Sequence, residues 1–360
     1  MKSIQLHSIA LALALLLAGC GAGASPPGDI NLATALPTVV AAGLCADARQ
    51  PLDQPIVAGV GTDLWLLSAD GLPQAQLTGL LPGTVAGSSA WSPDRTTLAY
   101  SLHLPPSDPL LPWLQAGIVC GFDAATGRGR ILARGSLNDV LSEPSWLPDG
   151  KAVVVTRRRI VLDAKKQFQR ETVALVRFDL ASGGEQALVP DATSPAVSPD
   201  GTRLAYVSPN RQTGFPALMI ANSDGSNPQP LGAPDPPFKG IASPRWSPDG
   251  SQLVFTARGG PGAEEGSGAE ERSWWARWLG IGTASAHGEP GSLWVVQADG
   301  QQLRPLIPDA DDPVATWNPQ AHTLLYADWT NGLMRYDPGT GAAEPIGTPE
   351  QFWLLEWASH

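Results

Sequence analysis

The sequence predicts an all-β fold: a six-bladed β-propeller of four-stranded blades, closed by a C-terminal strand that completes the first blade. Three observations predict it. A Trp-led hairpin motif recurs along the chain, a strand ending in a glycine turn recurs between its copies, and the unmatched halves of the repeat stand at the two ends.

The fullest copy is Pro244-Arg245-Trp246-Ser247-Pro248-Asp249-Gly250, followed by Leu253-Val254-Phe255. Pro fixes φ for a turn, Asp caps it through its side chain and Gly supplies positive φ, so the segment is a tight hairpin. The apolar triplet after it is a short buried strand, and the Trp before it is large enough to pack on a neighbouring unit. Other copies stand at Ala90-Trp91-Ser92-Pro93-Asp94, Pro144-Ser145-Trp146-Leu147-Pro148-Asp149-Gly150, Pro195-Ala196-Val197-Ser198-Pro199-Asp200-Gly201 and Ala315-Thr316-Trp317-Asn318-Pro319. A truncated copy, Leu355-Glu356-Trp357, ends the chain. No single hairpin buries both of its faces, so repetition at this period means an array of short-stranded units completing one another's cores.

Ahead of the repeats, Met1-Lys2 is a short basic start, Ile4 to Leu17 an apolar run shorter than a membrane span, and Leu17-Ala18-Gly19-Cys20 a small-residue ending. Residues 1–19 are read as an export signal. The Leu-Ala-Gly-Cys ending resembles the bacterial lipobox, which implies lipidation of Cys20 and a membrane-anchored, extracytoplasmic protein on the periplasmic or cell-surface side. An ordinary secretory signal is the alternative. Residues 20–54, rich in Pro, Ala and Gly, read as lipidated N-terminus and tether. Cys45 and Cys120 then remain in a compartment where disulfides form; they either pair or stay as two separate thiols.

The formal net charge is −11, and removing the leader takes away one further cation, Lys2. No basic stripe offers a nucleic acid a surface, so no nucleic-acid partner is expected, and the balance favours a soluble monomer.

The glycine-turn strands are Leu64 to Gly71, Ile118 to Gly127, Leu175 to Gly183, Leu218 to Gly225, Leu293 to Gly300 and Leu333 to Gly341. Each is followed by a further short apolar segment, making four strands per unit. The first pair has no Trp hairpin before it and Phe352 to Ala358 has no pair after it, so each completes the other. The propeller therefore spans 55–358 as one domain. Trp-Ser-Pro-Asp-Gly with Leu-Ala-Tyr-type strands and a later Asp-Gly turn resembles the TolB-like group of β-propellers, whose repeats are WD40-like. That resemblance implies the fold and a cell-envelope setting; it leaves function open, because similar propellers serve both as scaffolds and as appendages of peptidases.

Extra residues fall between the second and third strands of the blades, whose loops share one rim with the crossovers between blades. That rim is the binding candidate. Its blade 2 loop, Leu104 to Gly117, is stiffened by Pro105, Pro106, Pro109 and Pro112 and carries Trp113 among leucines. Blade 3 carries Arg157-Arg158-Arg159 and Lys165-Lys166, read as a solvated hairpin surface. The largest insertion, 259–291 in blade 5, starts Gly-rich and continues through a helix-forming stretch, Ala269 to Leu279. On such a helix Trp274, Trp275, Trp278 and Leu279 lie within about 140° of one face, flanked by Arg272 and Arg277. The stripe either recognises a partner or folds down over its own rim.

Signs of catalysis are sparse. Beyond the leader only His103, His287, His322 and His360 occur; none forms a zinc-type pair, and neither a Gly-x-Ser-x-Gly elbow nor a phosphate loop is present. Asp309, Asp311 and Asp312 in a crossover are read as solvated loop acids, with a cation site through oxygen ligands as the alternative. The expectation is a non-catalytic binding or scaffold protein without a cofactor, presenting its rim to an envelope protein or glycan. The alternative is an extracytoplasmic hydrolase or lyase at the channel mouth.

Overall fold

The structure, a computed structural model, describes residues 45–357 apart from 81–82, 105–115, 137, 164, 166, 211–212, 233, 262–290, 309, 311, 321 and 348–351. The described residues form 24 β-strands and no helix. Ile56–Val60 (β1), Asp63–Leu67 (β2) and Pro73–Gln76 (β3) make a first antiparallel run. Val85–Trp91 (β4), Thr97–His103 (β5), Gly117–Asp123 (β6), Gly129–Arg134 (β7), Asp139–Trp146 (β8), Ala152–Leu162 (β9), Phe168–Asp179 (β10) and Glu185–Pro190 (β11) follow as one 8-stranded sheet. Thr193–Val197 (β12), Arg203–Pro209 (β13), Pro216–Asn222 (β14) and Gln229–Pro230 (β15) form the next sheet. After it come Phe238–Trp246 (β16), Gln252–Gly259 (β17), Ser292–Gln297 (β18) and Arg304–Ile307 (β19). Val314–Trp317 (β20), Leu324–Asp328 (β21), Gly332–Asp337 (β22) and Ala342–Pro345 (β23) form the last complete meander. Leu354–Trp357 (β24) lies antiparallel to β1, with Ile56 opposite Trp357 and Gly59 opposite Leu354.

This is a β-propeller arrangement of antiparallel meanders. Where six separate sheets are expected, five occur: four of 4 strands and one of 8. A single parallel pairing, Gly117 with Val140, ties β6 to β8 and merges two meanders. Gly117 permits it, because a Cβ there would meet Val140 Cγ1 at 2.9 Å and the Leu141 amide nitrogen at 3.1 Å.

The motif hairpin forms as its residues dictate. In the copy at 246–250, Ser247 Oγ donates to Asp249 Oδ1 at 2.6 Å, the Ser251 amide donates to the same oxygen at 3.0 Å, and Gly250 sits at φ 69°. These donors hold the Asp249 carboxyl down at about 2, the Ser247 hydroxyl first and the Ser251 amide next. Arg95 takes the same left-handed position at φ 59°, where a side chain is strained.

Each full Trp is buried at the end of its strand: Trp91, Trp146, Trp246 and Trp317. Three of them hand their indole N–H to the preceding meander, Trp146 to Ala90 O at 3.0 Å, Trp246 to Ala196 O at 2.9 Å and Trp317 to Arg245 O at 3.3 Å. Each acceptor immediately precedes the motif position of its own meander. The repeat is thus an interlock between meanders, with apolar burial as its main stabilising term.

Residues 45–54, the end of the expected tether, are docked on the neighbouring strands and turns. Cys45 is disulfide-bonded to Cys120 of β6, with Cα atoms 5.5 Å apart. Ala48 N donates to Gly127 O at 2.7 Å, Arg49 N to Leu77 O at 3.0 Å and Leu52 N to Ala124 O at 2.8 Å. Leu52, 1% exposed, enters the apolar cluster between β1–β3 and β4–β6. Composition suggested a linker, but the carbonyls of neighbouring strands and turns satisfy its amides and Leu52 gains burial.

Candidate functional site

Three strands that carry motif positions share an irregularity. β8, β12 and β16 each bulge, and the residue three before the motif position takes positive φ: Glu143 at 53°, Ser194 at 53° and Ser243 at 52°. Bulges re-aim side chains, and left-handed non-glycine residues persist only where neighbours hold them. Glu143 shows what holds it. Its carboxylate accepts from Thr156 Oγ1 at 2.7 Å, Ser194 N at 2.8 Å and Ser194 Oγ at 2.8 Å, bridging two sheets across the bulge.

Nearby charges are committed to one another. Arg157 pairs with Glu185 at 3.1 Å, Arg158 with Glu171 at 3.1 Å, and Arg159 grips Asp139 through Nε at 2.6 Å and Nη2 at 2.8 Å. Arg158 is 6% exposed and Asp139 fully buried. The reading of these arginines as a solvated hairpin surface is therefore corrected: register sets Asp139 opposite Arg159, and the packing of the sheet brings Glu171 of β10 and Glu185 of β11 within ion-pair distance of Arg158 and Arg157. Burial lowers the Arg158 guanidinium and raises the Glu171 carboxyl, while their mutual attraction opposes both shifts.

His103, at the end of β5, is 8% exposed and lies within the field of Arg158. Burial first and Arg158 second push it down to about 4, so at neutral pH it is an uncharged imidazole. Its Nδ1 has no hydrogen-bond partner among the described residues. Asp312 accepts from Arg258 Nη2 at 2.9 and 3.1 Å, which satisfies its charge without a cation. Among the described residues no cluster of three His, Cys, Asp or Glu could hold a metal. Asp309 and Asp311 lie outside the described residues, as do Cys20, Trp113, Arg272, Trp274, Trp275, Arg277 and Trp278.

Elsewhere, Arg245 Nη2 of β16 donates to Glu356 Oε1 of β24 at 2.9 Å and to Ser89 O of β4 at 3.4 Å. Arg95 Nη1 donates to Trp357 O at 3.0 Å. Burial raises the Glu356 carboxyl; Arg245 and then Arg95 pull it back. Sequence reasoning passed over these groups, although a signal existed. Arg245 and Glu356 immediately precede motif tryptophans, where the other copies carry Ala90, Ser145, Ala196 and Thr316. Likewise Arg95 stands where three copies have glycine.

No protein-family model matches the chain. Over 56 residues it is 46% identical to the Tol-Pal system protein TolB of Methylobacillus flagellatus, an alignment covering 16% of this chain and 12% of that protein. Over 125 residues it is 26% identical to the uncharacterized peptidase YuxL of Bacillus subtilis, 34% of this chain and 18% of that protein. The chain thus spans less than a fifth of these relatives. A solved structure from Agrobacterium tumefaciens assigned to TolB superposes with a TM-score of 0.51 at 17% identity, over 81% of this chain and 90% of that one. This last likeness establishes the fold.

Proposed function

We propose that this chain, a TolB-like β-propeller by its repeated motif and its fold, is a lipid-anchored extracytoplasmic binding or scaffold protein. It presents its loop-decorated rim to an envelope protein or a glycan. The observation that carries this reading is the mutual pairing of the polar groups on that side: Arg159 with Asp139, Arg158 with Glu171, Glu143 with Ser194 and Thr156, and Arg258 with Asp312. Such groups stiffen a frame that holds loops in place. The Cys45–Cys120 disulfide supports an oxidising compartment, and the Leu17-Ala18-Gly19-Cys20 ending supports the anchor.

We read the 8-stranded sheet as two blades sharing one parallel link, which makes six blades, with β24 closing the ring. Two features support this. The apolar core divides into clusters that each join two successive meanders. The edge strands β24, β4, β8, β12, β16 and β20 also pack one on the next in that order, and β20 packs on β24.

The test is deletion of residues 260–288 from the full chain, followed by crosslinking in native membranes. Loss of a specific crosslinked partner is expected; an unchanged partner set would overturn the role of the rim. A hydrolase or lyase at the channel mouth is the second reading, favoured by the buried His103 with its unpartnered Nδ1. It requires turnover of a peptide or polysaccharide that His103→Asn abolishes without lowering partner capture.

A further inference from the structure

The contacts between β24 and β4 differ from those at the three seams that Trp146, Trp246 and Trp317 bridge. β24 has 4 residues and one hydrogen-bonded neighbour, β1. On the side facing β4, the interlock found elsewhere is missing. Trp91 is 7% exposed, like Trp146 and Trp246, yet its indole nitrogen has no acceptor among the described residues. Two more buried donors in this seam, Ser89 Oγ and Arg245 Nε, are also without partners among the described residues. Each such buried donor costs stability.

What fastens β24 instead is a pair of arginines from other sheets. Arg95 reaches the Trp357 carbonyl from a turn whose backbone it holds at φ 59°, a conformation its glycine counterparts adopt freely. Arg245 reaches Glu356 from β16, separated from β24 by the intervening β20, and the same guanidinium contacts Ser89 O of β4. Its head therefore bridges the axis. Trp353 adds a third fastening by donating from Nε1 to Gly61 O at 3.0 Å.

We propose that the seam between β24 and β4 is a latch: a short terminal strand locked by Arg95 and Arg245, which releases before the rest of the ring and unblocks the axis at the level Arg245 bridges. Release leaves one edge of β1 unpaired, since β24 is its partner on that side. The latch stands on the packing around β24 and not on the binding role, so loss of partner capture leaves it intact.

Amide hydrogen exchange on the full chain, read peptide by peptide, tests it. In the unmodified protein, residues 352–357 and 56–60 should exchange about tenfold faster than β13 and β21. Arg95→Gly keeps the turn, because glycine suits its φ, and Arg245→Gln keeps the size of the side chain while removing its charge. Each should accelerate exchange of 352–357 about tenfold further, leaving β13 unchanged. The proposal is overturned by a β24 as protected as β21 in the unmodified protein. Equally, it is overturned by variants whose exchange rises uniformly along the chain, or by a β24 that ignores both substitutions.

Discussion

Replacing Trp246 and Trp91 by phenylalanine separates the interlock from simple burial. Both side chains are buried to the same degree, 8% and 7% exposed, and both occupy the motif position, so the loss of volume on going from indole to phenyl is shared. Trp246 in addition donates to Ala196 O at 2.9 Å and carries the Arg203 guanidinium 4.6 Å above its ring. Trp246→Phe breaks that hydrogen bond and leaves a buried carbonyl unpaired, a cost of about 1–2 kcal/mol. The cation–π contact weakens by about 0.5 kcal/mol. Trp91→Phe loses no hydrogen bond among the described residues. Trp246→Phe is therefore expected to destabilise by about 2 kcal/mol more than Trp91→Phe. In guanidinium denaturation this is a midpoint difference of about 0.5 M at a slope of about 4 kcal/mol/M. Equal midpoints at equal slopes would refute the interlock. Trp246→Ala, which also empties the site, should cost about 3–5 kcal/mol.

Two further predictions concern pH and redox state. His103 titrates at about 4 in the folded chain and near 6.5 unfolded. Between those values the unfolded chain binds the proton and the folded chain does not, so stability falls as pH drops from about 6.5 to about 4, by up to about 3 kcal/mol. His103→Asn should flatten the stability–pH curve over that window by this amount; a variant curve parallel to the parent would contradict the buried neutral imidazole. The Cys45–Cys120 bridge closes a loop with a sequence separation of 75. Its removal in the double variant Cys45→Ala/Cys120→Ala should cost about 4 kcal/mol in the chain-entropy model. Alkylation of the unreduced, unfolded parent that labels either cysteine would show the bridge absent.

The repeat was readable because its information is local. Pro, Asp and Gly build the turn at 248–250 from their own dihedral preferences and side-chain hydrogen bonds, wherever the hairpin ends up. The same holds for the glycine-turn strands, whose apolar residues need only a neighbour of the same kind. Arg157, Arg158 and Arg159 mark the limit of that reading. In a linear chain they look like a cationic surface, and only the folded sheet sets Glu185, Glu171 and Asp139 against them. The segment 45–54 marks a second limit, since it follows a Pro-, Ala- and Gly-rich stretch and shows no strand pattern, while its amides find carbonyls on Leu77, Ala124 and Gly127.

By itself, then, the sequence determined the unit: an all-β meander with a Trp-led hairpin, repeated along the chain. Tertiary structure alone decided how the units join and where charge is neutralised. It merged two meanders through Gly117 and Val140, and it brought Arg245 to Glu356 across 111 positions of chain. The physical reason is range. Turn and strand preferences act within a few residues, whereas a buried ion pair or a sheet link depends on the placement of backbones remote in sequence, which no local pattern records.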